Sequence, residues 1–470
     1  MKAFPAGEFM PAAPLQAGLS GCLPATLTAG LSPPPKGSTL PMTQSPAAAT
    51  AEPGKLYRWL VLFWLSITMF GNYYFYDALE PLADVLQRQL HFTDQNIGGL
   101  NTAYSVAALF TVVLGGVVVD RLGVRRALLI FGFICLGGAF LTALSPVYWI
   151  MALGRGVFGM GAESLIVAIT AAVAKWFKGK ELSFALGLNL MLARFGSWLA
   201  QNSPSWAHSA YNTWRGPWLV GVCFVALCVL GPIAYWIMEA RAERHYALGK
   251  AGESDKIVFQ DVKNFGLSYW YLVGLCVIFY SAIFPFETFA VKYFMDAHGT
   301  SRELGGGLLS VLTTFTMFGT PIVGLFSDKM GRRATIMCLG VLLLVPVFLM
   351  MGYTHVSLYV PMAMLGFAFT FVPAIIWPSV AYVVPARMLG TALGLMTMVQ
   401  NIGMAGMNWG LGKANDVAGA SAQHPTGYQP MLQILTAMGV IGAVLAFLLR
   451  QRELGPNGHG LETIRAGEHN

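Results

Sequence analysis

Two ionisable residues stand deep inside apolar runs: Glu163, in the run that closes near Ala174, and Arg194, in the run that opens near Ser183. Each lies eleven residues from the basic loop between them, and at a rise of about 1.5 Å per residue both sit roughly 16 Å in, near the middle of a hydrocarbon layer about 30 Å thick. A charge at that depth is costly unless it faces a partner or a wet cavity, so its default reading is a functional site. A guanidinium is shaped to hold a carboxylate through paired hydrogen bonds. A carboxylate at the same depth can orient that arginine, receive an ammonium group or exchange a proton. The competing reading is a permanent Glu163–Arg194 ion pair that only ties two helices together; desolvation offsets much of the Coulomb gain of such a pair.

Other polar positions share the apolar segments. Arg155, Gly159 and Glu163 fall at i, i+4 and i+8 on one helical face, and Arg155 suits a structural role as well as one in transport. Tyr73, Asp77, Glu80 and Asp84 form a stripe at the end of the first apolar run. Asp77 is the deepest of its acids, Glu80 and Asp84 read as wet rim residues, and Tyr73 and Tyr76 can supply hydrogen bonds. Glu287 and Lys292, further candidates for substrate contact, follow Phe284-Pro285-Phe286, where the proline frees a carbonyl and predicts a kink. Trp377, Gln400, Asn401 and Asn408 are further cavity candidates, with Trp377 equally readable as packing.

The elements that must position these groups are membrane helices. A chain of 470 residues that is 56% hydrophobic and 11% charged, with mean hydropathy +0.59, is too apolar for an ordinary soluble domain. Apolar runs of spanning length recur twelve times, at about 57–83, 98–119, 127–144, 148–174, 183–203, 215–238, 269–296, 304–326, 334–352, 356–383, 390–411 and 430–450. The expected architecture is an all-α membrane protein of twelve transmembrane helices. Its parts are a disordered Pro/Ala/Gly/Ser-rich tail to residue 54, six helices over 55–238, a linker over 239–268, six helices over 269–450 and a tail over 451–470. Fifteen basic residues fall in the internal loops of one side and four (Arg88, Arg215, Arg302 and Lys413) on the other, which predicts cytoplasmic termini. The net charge of +7 is dispersed among these loops and forms no nucleic-acid-binding face. Six cysteines lack zinc or redox spacing, and no nucleophile–base set or phosphate loop is present, so neither a cofactor nor an enzyme is expected.

The two halves repeat. Asp120-Arg121-Leu-Gly-Val-Arg125-Arg126 after the second span matches Asp328-Lys329-Met-Gly-Arg332-Arg333 after the eighth at an offset of 208 residues. Ala-Leu-Gly-Leu opens the fifth span at Ala185 and the eleventh at Ala392, which sets neutral Asn401 opposite Arg194. Parallel six-span repeats with a site near midplane between them are the architecture of major facilitator transporters. The Asp120 and Asp328 loops, with Arg121, Arg125, Lys329 and Arg332, read as a conformational latch on the termini side, without substrate contact.

These paired loops resemble the signature of the major facilitator superfamily. Phe158-Gly-Met-Gly-Ala-Glu163, Trp176-Phe-Lys-Gly-Lys-Glu-Leu182, Ala193-Arg194-Phe-Gly-Ser197, Trp377-Pro378 and Val383-Val-Pro385 resemble its lysosomal dipeptide transporter branch. That resemblance implies movement of dipeptides by alternating access, and it makes Asp77, in a Tyr76-Asp77 pair, the candidate for the ammonium end. Composition and spacing alone imply only a transporter. Uniport and proton symport both fit, as does a functional monomer in a plasma, bacterial inner or lysosomal membrane. A carrier of organic anions or drugs is the neighbouring alternative, and a non-transporting receptor or scaffold the distant one.

Overall fold

A computed structural model describes residues 53–177, 181–244, 246, 262–263, 265–385 and 388–464; the side chains of 112, 113, 183 and 328 are also outside the described set. The predicted N-terminal tail and most of the predicted linker therefore lie outside the described residues, as do Lys178, Lys180 and Arg387.

The described chain is helical: α1 (Lys55–Asp77), α2 (Ala83–Leu90), α3 (Asp94–Leu122), α4 (Val124–Leu144), α5 (Tyr148–Phe177), α6 (Leu182–Gln201), α7 (Ser203–Trp206), α8 (Arg215–Val225), α9 (Leu227–Ala242), α10 (Leu267–His298), α11 (Arg302–Met330), α12 (Arg333–Leu342), α13 (Leu344–Tyr353), α14 (Tyr359–Val383), α15 (Leu389–Val417) and α16 (Gln429–Leu454). With α8–α9 and α12–α13 each read as one rod and the short α2 and α7 set aside, twelve rods remain among the described residues, the number of spans expected. Eight rods are long and apolar enough to span by that criterion alone, or nine with α3 taken as one span. The rest, α1, α6 and α15, carry Asp77, Arg194 and Asn401 and contribute to the polar interior described below.

Local chemistry sets several boundaries. Thr93 accepts from the Asn96 N–H while Asn96 returns a bond to the Thr93 N–H, a reciprocal cap that starts α3. Gly299 and Gly331 adopt positive φ to end α10 and α11. α1 stops at Asp77, and the chain passes through a 3₁₀ turn at Glu80–Leu82 containing Pro81 before α2 begins.

The packing repeats as the sequence does. α1 packs on α6 and on α8–α9, as α10 packs on α15 and α16; α3 packs on α5 as α11 packs on α14. Between the halves run two seams, α3 along α15 and α6 along α11. Both depend on glycine at one point of closest approach: a Cβ on Gly98 would stand 2.0 Å from the Asn408 carbonyl oxygen, and one on Gly306 2.1 Å from that of Gln201.

The segment after α16 is built into the fold. Glu453 accepts from the His459 backbone N–H at 2.7 Å, the Arg333 N–H donates to the Leu461 carbonyl at 2.8 Å, and the Glu462 carboxylate accepts from the Thr335 N–H and hydroxyl at 2.6 and 2.8 Å. Glu462 thus satisfies a donor in the first turn of α12 from outside that helix, so Glu462→Ala is expected to destabilise the protein by about 1 kcal/mol, read by thermal unfolding in detergent.

Candidate functional site

A cavity of about 840 Å³ lies between the halves. It is lined at depth by Asn72, Tyr73, Tyr76, Asp77, Tyr104, Glu163 and Arg194 from the first half and by Tyr280, Phe284, Phe369, Trp377, Gln400 and Asn401 from the second. The lining continues to Phe184 and Leu325, which are 65% and 69% exposed. Both lie at the helix ends on the termini side, where Tyr57 at the start of α1 donates to the Met238 carbonyl at the end of α9.

Arg194 is half-buried on α6, a helix held against α1 by an Asn189–Ser66 hydrogen bond of 3.0 Å. Its guanidinium carbon lies 5.5, 5.9 and 5.1 Å from the ring centroids of Tyr73, Phe284 and Phe369. Among the described residues no carboxylate lies within the 4.0 Å ion-pairing distance of Arg194. The expected possibility of a direct Glu163–Arg194 pair is therefore not realised. Glu163 instead accepts from the Tyr104 hydroxyl at 2.8 Å, and Tyr104 packs its ring 4.7 Å from that of Tyr76. The separation has a physical basis: rings of α1, α10 and α14 surround the guanidinium, while α3 supplies the donor to the acid.

Asp77 lines the cavity at 3% exposure, and Asn401 lines it at 2% exposure with Nδ2 donating to the Thr397 carbonyl and Oδ1 buried without a hydrogen-bond partner. The two repeat-related positions, Arg194 and Asn401, thus meet in one cavity. Trp377 also lines it, but its indole N–H is taken by the Tyr280 hydroxyl at 2.8 Å, which leaves its ring as the surface offered.

Other sequence-predicted residues are placed elsewhere. Lys292 is 2% exposed and outside the lining; its ammonium lies 2.9 Å from Asp94 and 3.5 Å from Asp296 and donates to the Tyr428 hydroxyl at 2.8 Å. Glu287, 3% exposed, is likewise outside the lining. The reading of Asp84 and Glu80 as wet rim is corrected. Both are buried, at 8% and 4% exposure, and Asp84 binds Arg302 across the halves with an Nε–Oδ1 distance of 3.0 Å. The end of α1 and the turn at Pro81 carry these acids inward, off the continuous helical stripe that the spacing suggested.

These pairs close the side opposite the termini. There Asp416 on α15 accepts from the Asp94 and Gln95 N–H groups at 2.8 and 2.9 Å and so caps α3, while Asn415 donates to Asp94 at 3.0 Å. A carboxylate at a helix N-terminus meets both the free N–H groups and the positive end of the dipole.

On the termini side the ion pairs of the predicted latch residue Arg125 stay within the first half. Arg125 binds Glu239 and Glu243 at 3.0 and 2.6 Å, and Lys175 binds Glu239 at 2.7 Å, all within the first half. Arg121, Lys329 and Arg332 are exposed, as is Asp120, and the Asp328 side chain lies outside the described residues. Arg155 is wholly buried and outside the cavity lining.

Sequence reasoning missed Tyr104, Tyr280, Phe284 and Phe369. Tyr104 and Tyr280 left a weak signal, since a tyrosine hydroxyl inside a membrane helix needs a partner.

The Major Facilitator Superfamily sequence model matches residues 65–408. The chain is 32% identical over 379 residues to the Lysosomal dipeptide transporter MFSD1 of Danio rerio, covering 77% of this chain and 82% of that one. It is 34% identical over 387 residues to the protein of that name from Bos taurus, covering 77% and 82%. Among solved structures, a bacterial homologue of the human lysosomal transporter Spinster, inward-facing and unoccupied, superposes with a TM-score of 0.69 at 16% identity, over 88% of this chain and all of that one. The nucleoside transporter NupG superposes with a TM-score of 0.66 at 16% identity, over 83% and 98%.

Proposed function

The chain belongs to the Major Facilitator Superfamily and is an integral membrane transporter, not an enzyme; from that premise we propose that it carries dipeptides by alternating access. The observation that carries this reading is Arg194: a guanidinium in the cavity with aromatic rings around it and, among the described residues, no carboxylate within ion-pairing distance. Such a group is preorganised for a carboxylate supplied by a substrate. Asp77 and Glu163 line the same cavity and offer a negative pole for the ammonium end, and Asn401 Oδ1 offers a buried acceptor. The aromatic walls accept varied side chains, and the cavity volume lies in the range of small-molecule sites. The names of the relatives from Danio rerio and Bos taurus support the same substrate class.

With the basic loops read by the positive-inside rule, both termini are cytoplasmic and the cavity opens inward. The polar seam around Asp94 is then the closed outer gate.

A thermal-shift screen of the purified protein tests the substrate class. Dipeptides should stabilise it more than single amino acids or organic anions; stabilisation by anions without dipeptides overturns the reading in favour of an organic-anion carrier. Uptake into proteoliposomes with and without an imposed pH gradient separates uniport from proton symport.

Tyr104→Phe removes the hydroxyl that bonds Glu163 without emptying the ring's space. We expect it to raise KM for dipeptides by about fivefold, the scale of one hydrogen bond to a charged group, with turnover little changed, as initial-rate uptake would show.

A further inference from the structure

Arg155 on α5 donates to the carbonyls of Phe75 and Tyr76 at 3.1 and 3.3 Å and to Asn101 Oδ1. α1 ends at Asp77, so both carbonyls belong to a last turn that no helical N–H reaches, and a cation there also meets the negative end of the helix dipole. Arg155 therefore holds the end of α1, and with it Tyr76 and Asp77, in place.

The same residue dictates the hydrogen-bond directions beyond it. A guanidinium only donates, so Asn101 must present its oxygen to Arg155 and its Nδ2 to the other side. That nitrogen donates to Thr288 Oγ1 at 2.8 Å on α10. The Thr288 hydroxyl faces Asn408 Oδ1 at 2.9 Å on α15, and Asn408 Nδ2 donates to the Met404 carbonyl at 3.0 Å. Arg155, Asn101, Thr288 and Asn408 are 0, 4, 1 and 1% exposed. In this row only Asn101–Thr288 passes from one half to the other, three residues along α3 from the tight approach at Gly98.

We propose that Asn101 and Thr288 are positioning residues that join closure of the seam on the far side to the seating of Tyr76 and Asp77 in the cavity. Opening that side separates α3 from α10 and must break this bond. Asn101 cannot turn its amide to another partner, because Arg155 holds the oxygen. The Asn101 donor and the acceptor side of the Thr288 oxygen are then left for water, while the Thr288 hydroxyl keeps its acceptors Asn408 and Phe284 within the second half, so the bond favours the closed conformation while α1 is held by Arg155. The inference uses the transport reading only for its turnover measurement.

The test uses the full-length protein in a cysteine-free background with spin labels at Val147→Cys and Val356→Cys, exposed positions on the far side of the first and second halves. Asn101→Asp keeps an acceptor for Arg155 and removes the donor to Thr288; Thr288→Val removes the hydroxyl at similar volume; Thr288→Ser restores it. Either Asn101→Asp or Thr288→Val should raise the population with separated labels by about fivefold. Thr288→Ser should stay near the parent, and the double variant should open no further than the more open single one. Dipeptide turnover should fall with KM within about twofold of the parent. Unchanged label distances, additive effects, or a Thr288→Ser protein that opens as Thr288→Val does would overturn the proposal. If the distances shift as stated and no dipeptide is taken up, the substrate reading fails and the positioning role stands.

Discussion

Dipeptide uptake by the Arg194→Ala protein is expected to fall at least about a hundredfold, the ratio corresponding to roughly 3 kcal/mol for a paired, charge-assisted contact. The unliganded protein should keep nearly its parental melting temperature. Among the described residues no acid is ion-paired with Arg194, so its removal breaks no direct ion pair; what disappears from its immediate surroundings is its contact with three rings, each worth about 0.5–1 kcal/mol where exposed. Arg194→Lys keeps the charge but loses the planar fork and should recover only part of the activity.

The substrate supplies the decisive control. A dipeptide amidated at its C-terminus lacks the carboxylate and should bind the parent protein about as poorly as the free dipeptide binds Arg194→Ala. The variant itself should not distinguish the two ligands. Amidation that weakens binding equally in both proteins would show that the carboxylate is held elsewhere in the cavity, and the reading of Arg194 would fail.

Why some residues announced themselves and others did not follows from how much each disturbs an apolar segment. Arg194, Glu163 and Asp77 were conspicuous because a charge inside a span is expensive, and the repeat led to Asn401 through a shared helical register. Phe284 and Phe369 were invisible because an aromatic residue in an apolar helix has the same appearance whether it packs or lines a cavity. Twelve apolar runs were legible one by one. Interactions between the halves were not: Lys292 and Asp94 are 198 residues apart, and no local pattern pairs them. Lys292 shared the signal of an isolated intramembrane charge, so it read as a substrate contact until its neighbours on α3, α10 and the turn before α16 were seen. Asp84 failed differently, since the break after Asp77 altered the face that its spacing had assigned.

Lys292→Met should therefore produce a loss of transport as deep as that of Arg194→Ala, by another route. Lys292 and Asp94 have side chains 3% and 1% exposed, and removing one partner of a buried pair leaves the other's charge uncompensated, at a cost of about 3–5 kcal/mol. The pair joins α10 to α3 across the halves, so the penalty falls on the conformation in which the far side is closed; opening lets water reach Asp94. The variant should accumulate far-side-open protein, visible as increased separation of labels across that face, and bind substrate from the termini side poorly because that conformation is depleted. Replacing both of these charges by neutral groups of similar size removes most of the penalty, as buried ion pairs often tolerate; Asp296, also near Lys292, keeps its hydrogen bond from Tyr428 and is 19% exposed. Asp94→Asn combined with Lys292→Met is thus expected to close again and to regain most of the lost uptake. A substrate-binding lysine would give the opposite result, because neutralising Asp94 cannot restore a contact to the peptide; failure of the double variant to recover closure, with the protein folded, would return Lys292 to the list of ligand contacts.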